Sequence, residues 1–320
     1  MSATDPVNNS SLSLDELKKR ILSLKKEKNA LIMAHYYQRD EIQEIADFIG
    51  DSLALARQAA KTDADIILMC GVHFMGETAK ILCPDKKVLV PDAAAGCSLA
   101  DSCDPEEFAA FVAEHPDHTV VSYVNTSAAV KAHTDIVVTS GNARKIIDSL
   151  PADEKIIFGP DKNLGGYINS VTGREMLLWN GACHVHERFS LEKILNMKKE
   201  HPGAKILVHP ECKKPLQMIA DKVGSTAALL DFASKDDAKE YIVVTESGIL
   251  YEMRKACPEK TFLAAPAEDA ECQCNECDYM KMNTLQKVYD ALLNESPEIK
   301  VDPELAEKAL RPIERMLELS

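Results

Sequence analysis

Three stretches of the chain repeat one another, and each runs toward a cysteine. The first reads Ala34-His35-Tyr36-Tyr37 after an apolar run, then a helical run, then Gly50-Asp51-Ser52. The second reads Ser122-Tyr123-Val124-Asn125 and reaches Thr139-Ser140-Gly141-Asn142. The third reads Val208-His209-Pro210-Glu211 and reaches Gly224-Ser225-Thr226. His35 and Tyr123 are 88 positions apart, and Tyr123 and His209 are 86 apart. Ser52, Ser140 and Ser225 follow at intervals of 88 and 85. The first two copies end in Gly96-Cys97 and Ala182-Cys183, and the third in Cys272-Gln273-Cys274-Asn275-Glu276-Cys277. Polar residues and a cysteine at matching points of a repeat predict one central site built from three corners.

With 320 residues, 46% of them apolar and 28% charged, the chain can bury a full core. Length alone would suggest two domains. The repeat argues instead for three small ones of roughly 85–90 residues. The expected boundaries are a disordered tail over 1–12, then units at 13–104, 105–191 and 192–283. Residues 284–320 are expected to be helical and to pack on the first unit. The formal charge of −14, without a basic run, speaks against nucleic acid or an anionic membrane as partner. No secretory signal or membrane-length apolar run is present, so a cytoplasmic location is expected. In that setting the ten cysteines are read as metal ligands or buried thiols rather than disulfides.

Local patterns predict alternating elements. A capping box, Ser13 with Glu16, opens a helix whose stripe is Leu14, Leu17, Ile21 and Leu24. Strands are expected at 30–34, 65–69, 119–124, 136–139, 155–158, 205–208 and 241–244. Helices are expected at 41–49, 52–61, 144–149 and 215–222, with Lys162-Asn163 in a turn. Short strands between helices imply parallel sheets, hence an α/β fold. Functional side chains of such sheets sit at the carboxyl ends of the strands. His35, Tyr37, Tyr123, Asn125, His209 and Glu211 all fall there.

Three cysteines brought from three units suit an iron–sulfur cluster with one iron left without a protein ligand. That iron would be a Lewis acid for a hydroxyl or carboxylate. The plainer alternative makes Cys97 and Cys183 small buried residues and the 272–277 group a separate redox or metal site. Cys183 lies 60 positions after Tyr123, and the same offset from His209 ends near residue 269. Spacing therefore favours Cys272 or Cys274 over Cys277. Ser52, Ser140, Ser225 and Thr226 precede helices, where they are either ordinary caps or parts of anion sites made with helix N–H groups. Glu211 would move protons if burial raised its pKa. Tyr37 and Tyr123 either donate hydrogen bonds to a developing oxyanion or merely pack. A rival class is an electron-passing iron–sulfur or thiol module with no organised substrate site.

The same residues carry a resemblance. Ala34-His35-Tyr36-Tyr37-Gln38, Ala95-Gly96-Cys97-Ser98-Leu99-Ala100-Asp101, Val138-Thr139-Ser140-Gly141-Asn142, Gly181-Ala182-Cys183-His184-Val185-His186 and Cys277-Asp278-Tyr279-Met280-Lys281-Met282-Asn283 resemble the quinolinate synthase family of bacterial NAD biosynthesis. The resemblance runs from about residue 17 to the C-terminus. It implies three α/β/α domains in pseudo-threefold arrangement around a [4Fe–4S] cluster, with Cys97, Cys183 and Cys277 as ligands. It also implies a transferase that condenses iminoaspartate, supplied by L-aspartate oxidase, with dihydroxyacetone phosphate. Tyr37, Glu211 and His35 would be catalytic. His35, Ser52, Tyr123, Asn125, Ser140, His209, Glu211, Ser225 and Thr226 would bind substrate. The chain departs from the family's Cys-x-x-Cys-x-x-Cys by having Cys272-x-Cys274-x-x-Cys277.

Overall fold

The computed structural model describes residues 13–268 and 275–320. The expected tail over 1–12, and Cys272 and Cys274, lie outside these residues. Twelve strands form three parallel sheets of four, one from each copy of the repeat. The first holds β1 (Ala30–His35), β2 (Phe48–Gly50), β3 (Ile66–Cys70) and β4 (Lys87–Leu89). The second holds β5 (Thr119–Tyr123), β6 (Ile136–Val138), β7 (Ile156–Gly159) and β8 (Leu177–Leu178). The third holds β9 (Lys205–Val208), β10 (Lys222–Val223), β11 (Glu240–Val244) and β12 (Thr261–Ala264). Each sheet has the same spatial order, second strand, first, third, fourth. The order reverses beside the first strand, and a crevice opens there at the carboxyl ends. The inner strands are buried along almost their whole length. That explains their unbroken apolar runs, since helices cover both faces of such sheets.

One polar contact recurs in all three units. Asp47, Asp135 and Asp221 each accept the backbone N–H of a first-strand residue, Ile32, Val120 and Ile206, at 2.9, 2.8 and 2.7 Å. Each returns its own N–H to the carbonyl of that same residue. The clasp turns the chain sharply from a one-turn helix into the short second strand. This is why the helices expected at 41–49 and 215–222 are shorter. Helix Asp40–Gln43 gives way to β2, and helix Lys214–Met218 to β10. Lys162-Asn163, expected in a turn, instead opens helix Lys162–Thr172, because Asp161 caps it by accepting the Leu164 N–H at 2.7 Å.

Helix Leu285–Asn294 packs on helix Leu14–Glu27 and β3. Helix Pro303–Leu319 lies against β6, helix Ala128–Lys131 and helix His73–Leu82, burying Ala309, Ile313 and Met316. The tail, expected against the first unit, therefore reaches the second as well. Among the described residues no helix is long and apolar enough to cross a membrane.

Candidate active site

The carboxyl ends of the three sheets line one cavity. Its wall includes His35, Tyr37, Ser52, Cys97, Tyr123, Asn125, Ser140, Cys183, His209, Glu211, Thr226 and Cys277. Every predicted site residue but one is therefore gathered there. The exception is Ser225, whose hydroxyl folds back to cap its own helix by accepting the Ala228 N–H at 3.3 Å. The next residue, Thr226, faces the cavity. Thr226, not Ser225, lies 86 positions after Ser140, the interval that separates Tyr123 from His209. Asp51 is the matching cap in the first unit, with Ser52 after it.

Each cysteine on the cavity wall stands at the N-cap of a one-turn helix: Cys97 before Ser98–Asp101, Cys183 before His184–Glu187, Cys277 before Asp278–Lys281. Cys277 thus occupies the position of the other two. Counting from the strand end falls short of it because the stretch from Ala264 to Cys277 is longer than those from Leu178 to Cys183 and Leu89 to Cys97. Two carboxylates after third strands hold these cysteines in place. Cys183 N–H donates to Asp161 at 3.3 Å, and Cys277 N–H to Glu246 at 3.1 Å. Glu246 is fully buried and pairs with Lys281 at 2.9 Å, and Lys281 also donates to the Tyr37 carbonyl at 2.7 Å. Burial pushes the Cys97 thiol up to about 12 and the Cys277 thiol up to about 11, and raises Cys183 well above the usual range. N–H groups of the short helices oppose the rise at all three.

A chain of hydrogen-bonding groups crosses the cavity floor. Tyr37 hydroxyl lies 2.9 Å from the Thr226 hydroxyl and 2.7 Å from that of Thr245. Thr245 is 2.9 Å from His186 Nε2. His186 Nδ1 approaches one oxygen of Glu211 at 3.0 Å without hydrogen-bond alignment, and Tyr123 donates its hydroxyl to the other at 2.5 Å. Burial and the Glu211 charge raise both tyrosines well above their ordinary value, so both remain phenols. Glu211 reverses the sequence expectation. Burial alone would push it up, but His186 and the hydroxyl of Tyr123 hold it below its ordinary value. It is a carboxylate that holds its neighbours, not a stored acid. His186 lies in a stretch quoted for the resemblance and Thr245 directly follows the strand expected at 241–244, but neither was assigned a role from the sequence.

His35 and His209 share a turn. His35 Nδ1 accepts the Tyr37 N–H at 3.2 Å, and His209 Nδ1 accepts the Glu211 N–H at 3.4 Å. Each neutral ring therefore carries its proton on Nε2. Burial lowers both to about 3. Unfolded imidazoles take up protons near 6.5, so the unfolded chain binds more protons below that pH. Stability is fully present above about 6.5 and is lost as pH falls toward 3, by up to about 1.4 kcal/mol per pH unit for each ring. Urea unfolding between pH 4.5 and 7 should show a shallower acid loss for His35→Gln than for the wild type. An unchanged slope would mean that His35 is protonated in the fold.

The orphan atoms fit a ligand. The side-chain oxygen of Asn125 is buried and has no partner, and it belongs to a residue of the cavity wall. Such a group costs stability unless something bound completes it. Comparison with known proteins shows the family. The family model described as Quinolinate synthetase A protein covers residues 19–318. The chain belongs to the quinolinate synthetase A family. It is 54% identical over 316 residues to the quinolinate synthase of Chloroherpeton thalassium, covering 99% of this chain and 97% of that one. It is 55% identical over 319 residues to that of Microcystis aeruginosa, covering 100% and 99%. It is 56% identical over 300 residues to that of a Synechocystis strain, covering 94% of each.

Proposed function

We propose that the chain condenses iminoaspartate with dihydroxyacetone phosphate to quinolinate, releasing one phosphate and two waters. The observation that carries this reading is the convergence of one cysteine from each unit on the cavity that also holds the Tyr37-to-Tyr123 hydrogen-bond chain. The cysteines fit a [4Fe–4S] cluster. Cys97, Cys183 and Cys277 are the cysteines on the wall among the described residues, and short-helix N–H groups stand behind each sulfur, as cluster sulfurs favour. Cys183, His186 and Glu211 also lie close enough together to hold a single ion. His186 Nε2 is hydrogen-bonded to Thr245 and the Glu211 carboxylate accepts the Tyr123 hydroxyl, so the three thiols are the freer donor set. When bound, the cluster supplies a Lewis acid at the iron that no cysteine holds.

The chain's own residues do the rest. Ser52, Ser140 and Thr226 stand on the wall at the starts of their helices or of the turn before one, where hydroxyls and N–H groups suit carboxylates and phosphate. Asn125 offers its unpaired oxygen to a donor of the substrate. Neutral His35 and His209 offer Nε2–H groups. Tyr37 gives up or takes back its hydroxyl proton at the substrate, and Thr245 and His186 carry the balancing proton toward Glu211. The carboxylate of Glu211 fixes His186 and Tyr123 and stabilises positive charge on the imidazole. Holding both substrates in one cavity lowers the entropic part of the barrier. The pathway partner is then the enzyme that makes iminoaspartate, L-aspartate oxidase. Anaerobic incubation of the reconstituted chain with both substrates should yield quinolinate and phosphate in equal amounts. Phosphate without quinolinate, or neither product, would overturn the proposal and favour an electron-passing module.

A further inference from the structure

Three side chains behind the cavity occupy one repeated position. Gln43, Lys131 and Gln217 are spaced by 88 and 86 residues. Each clasps the turn that follows the first strand of its unit. Gln43 Nε2 donates to the carbonyls of Tyr36 and Gln38 at 3.1 and 2.9 Å. Gln217 Nε2 donates to those of Pro210 and Cys212 at 2.8 and 2.7 Å. Lys131 Nζ donates to that of Val124 at 2.9 Å and to that of Thr126. The residue between the two held carbonyls is always one that faces the cavity: Tyr37, Asn125 or Glu211.

Each clasp also reaches a neighbouring unit, at the start of the helix that follows its third strand. Gln43 Nε2 donates to the Gly248 carbonyl of the third unit at 3.0 Å. Gln217 Nε2 reaches the Asn163 carbonyl of the second at 3.5 Å. Lys131 Nζ stands 5.5 Å from the ring centre of Phe74 in the first. The contacts therefore run in a cycle, first to third, third to second, second to first. Carbonyls freed at a strand end need donors when buried. A primary amide and an ammonium both supply at least two hydrogens from one atom, and the ring face also attracts the cation. We propose that Gln43, Lys131 and Gln217 are positioning residues that tie the seating of the neighbouring unit to the orientation of Tyr37, Asn125 and Glu211. For its effect on turnover this rests on the quinolinate-forming reading.

Lys131 gives the sharpest test, because Lys131→Gln copies the other two units while Lys131→Met keeps the length and removes the donor. In the cluster-loaded full chain, Lys131→Met should lower kcat by about tenfold or more, since small misplacements of reacting groups cost up to about a hundredfold. It should also speed hydrogen exchange at the Val124 and Thr126 amides. Lys131→Gln should restore most of both. A Lys131→Met variant with a lower melting temperature but unchanged kcat and unchanged exchange at 124–126 would overturn the proposal. If the wild type forms no quinolinate, the functional reading fails, and exchange at 124–126 alone decides the clasp. If Lys131→Met does not fold, Gln217→Met takes its place, with exchange read at Glu211 and Cys212.

Discussion

Replacing Cys97 with alanine should leave a folded chain that holds no cluster and makes no measurable quinolinate. The loss should be at least about 10³-fold, because Lewis-acid stabilisation is worth several kcal/mol and each 1.36 kcal/mol is tenfold in rate. The fold should survive because Cys97 is only partly buried, at the start of a one-turn helix on the cavity wall. Cys183→Ala and Cys277→Ala should behave alike. Cys70 is the contrast. It is fully buried within β3, away from the cavity wall, and burial alone raises its thiol. Cys70→Ala should lose stability and keep iron. Iron and sulfide analysis of the anaerobically purified variants, with a thermal melt of each, checks all four.

Glu211→Gln should lower kcat by about 10²–10⁴-fold, the usual worth of a group that organises proton transfer, with a smaller change in KM. The amide keeps the size of the side chain but removes the charge that His186, His209 and Tyr123 surround. Breaking a buried charge cluster from one side also costs about 3–5 kcal/mol, so the melting temperature should fall. Tyr37→Phe separates the two effects. It deletes one hydroxyl between Thr226 and Thr245 and leaves the carboxylate in place. Its kcat should fall by about a hundredfold with little change in stability. Steady-state kinetics beside thermal melts would read both variants. A Tyr37→Phe enzyme at wild-type kcat would remove Tyr37 from the proton path.

What the sequence made legible was whatever repeats or whatever has a local signal. His35, Tyr123 and His209 stood out because strand ends are marked by apolar runs and the intervals between them match. The same intervals place Tyr37, Asn125 and Glu211 at one equivalent position, and Thr226 rather than Ser225 at the position equivalent to Ser52 and Ser140. They would also have found Asp47, Asp135 and Asp221, whose clasp truncated two expected helices. Other residues could not be read this way. His186 and Thr245 acquire a role only when the second and third units meet, so a strand end and a motif mark their places but not their pairing. The direction of the Glu211 shift depends on an imidazole and a phenol brought from distant positions. Counting along the chain falls short of Cys277 because the connection before it is longer than its counterparts, and a count cannot see that Cys277 caps a one-turn helix on the cavity wall.

The central claim is that one cysteine from each unit, Cys97, Cys183 and Cys277, holds the metal at the cavity. Iron and acid-labile sulfide, measured after anaerobic reconstitution of a Cys272→Ser/Cys274→Ser double variant and of Cys277→Ser alone, test it most directly. The double variant should bind the wild-type amount of iron and sulfide, and Cys277→Ser should lose it. A double variant without iron, beside a Cys277→Ser chain that keeps it, would contradict the claim.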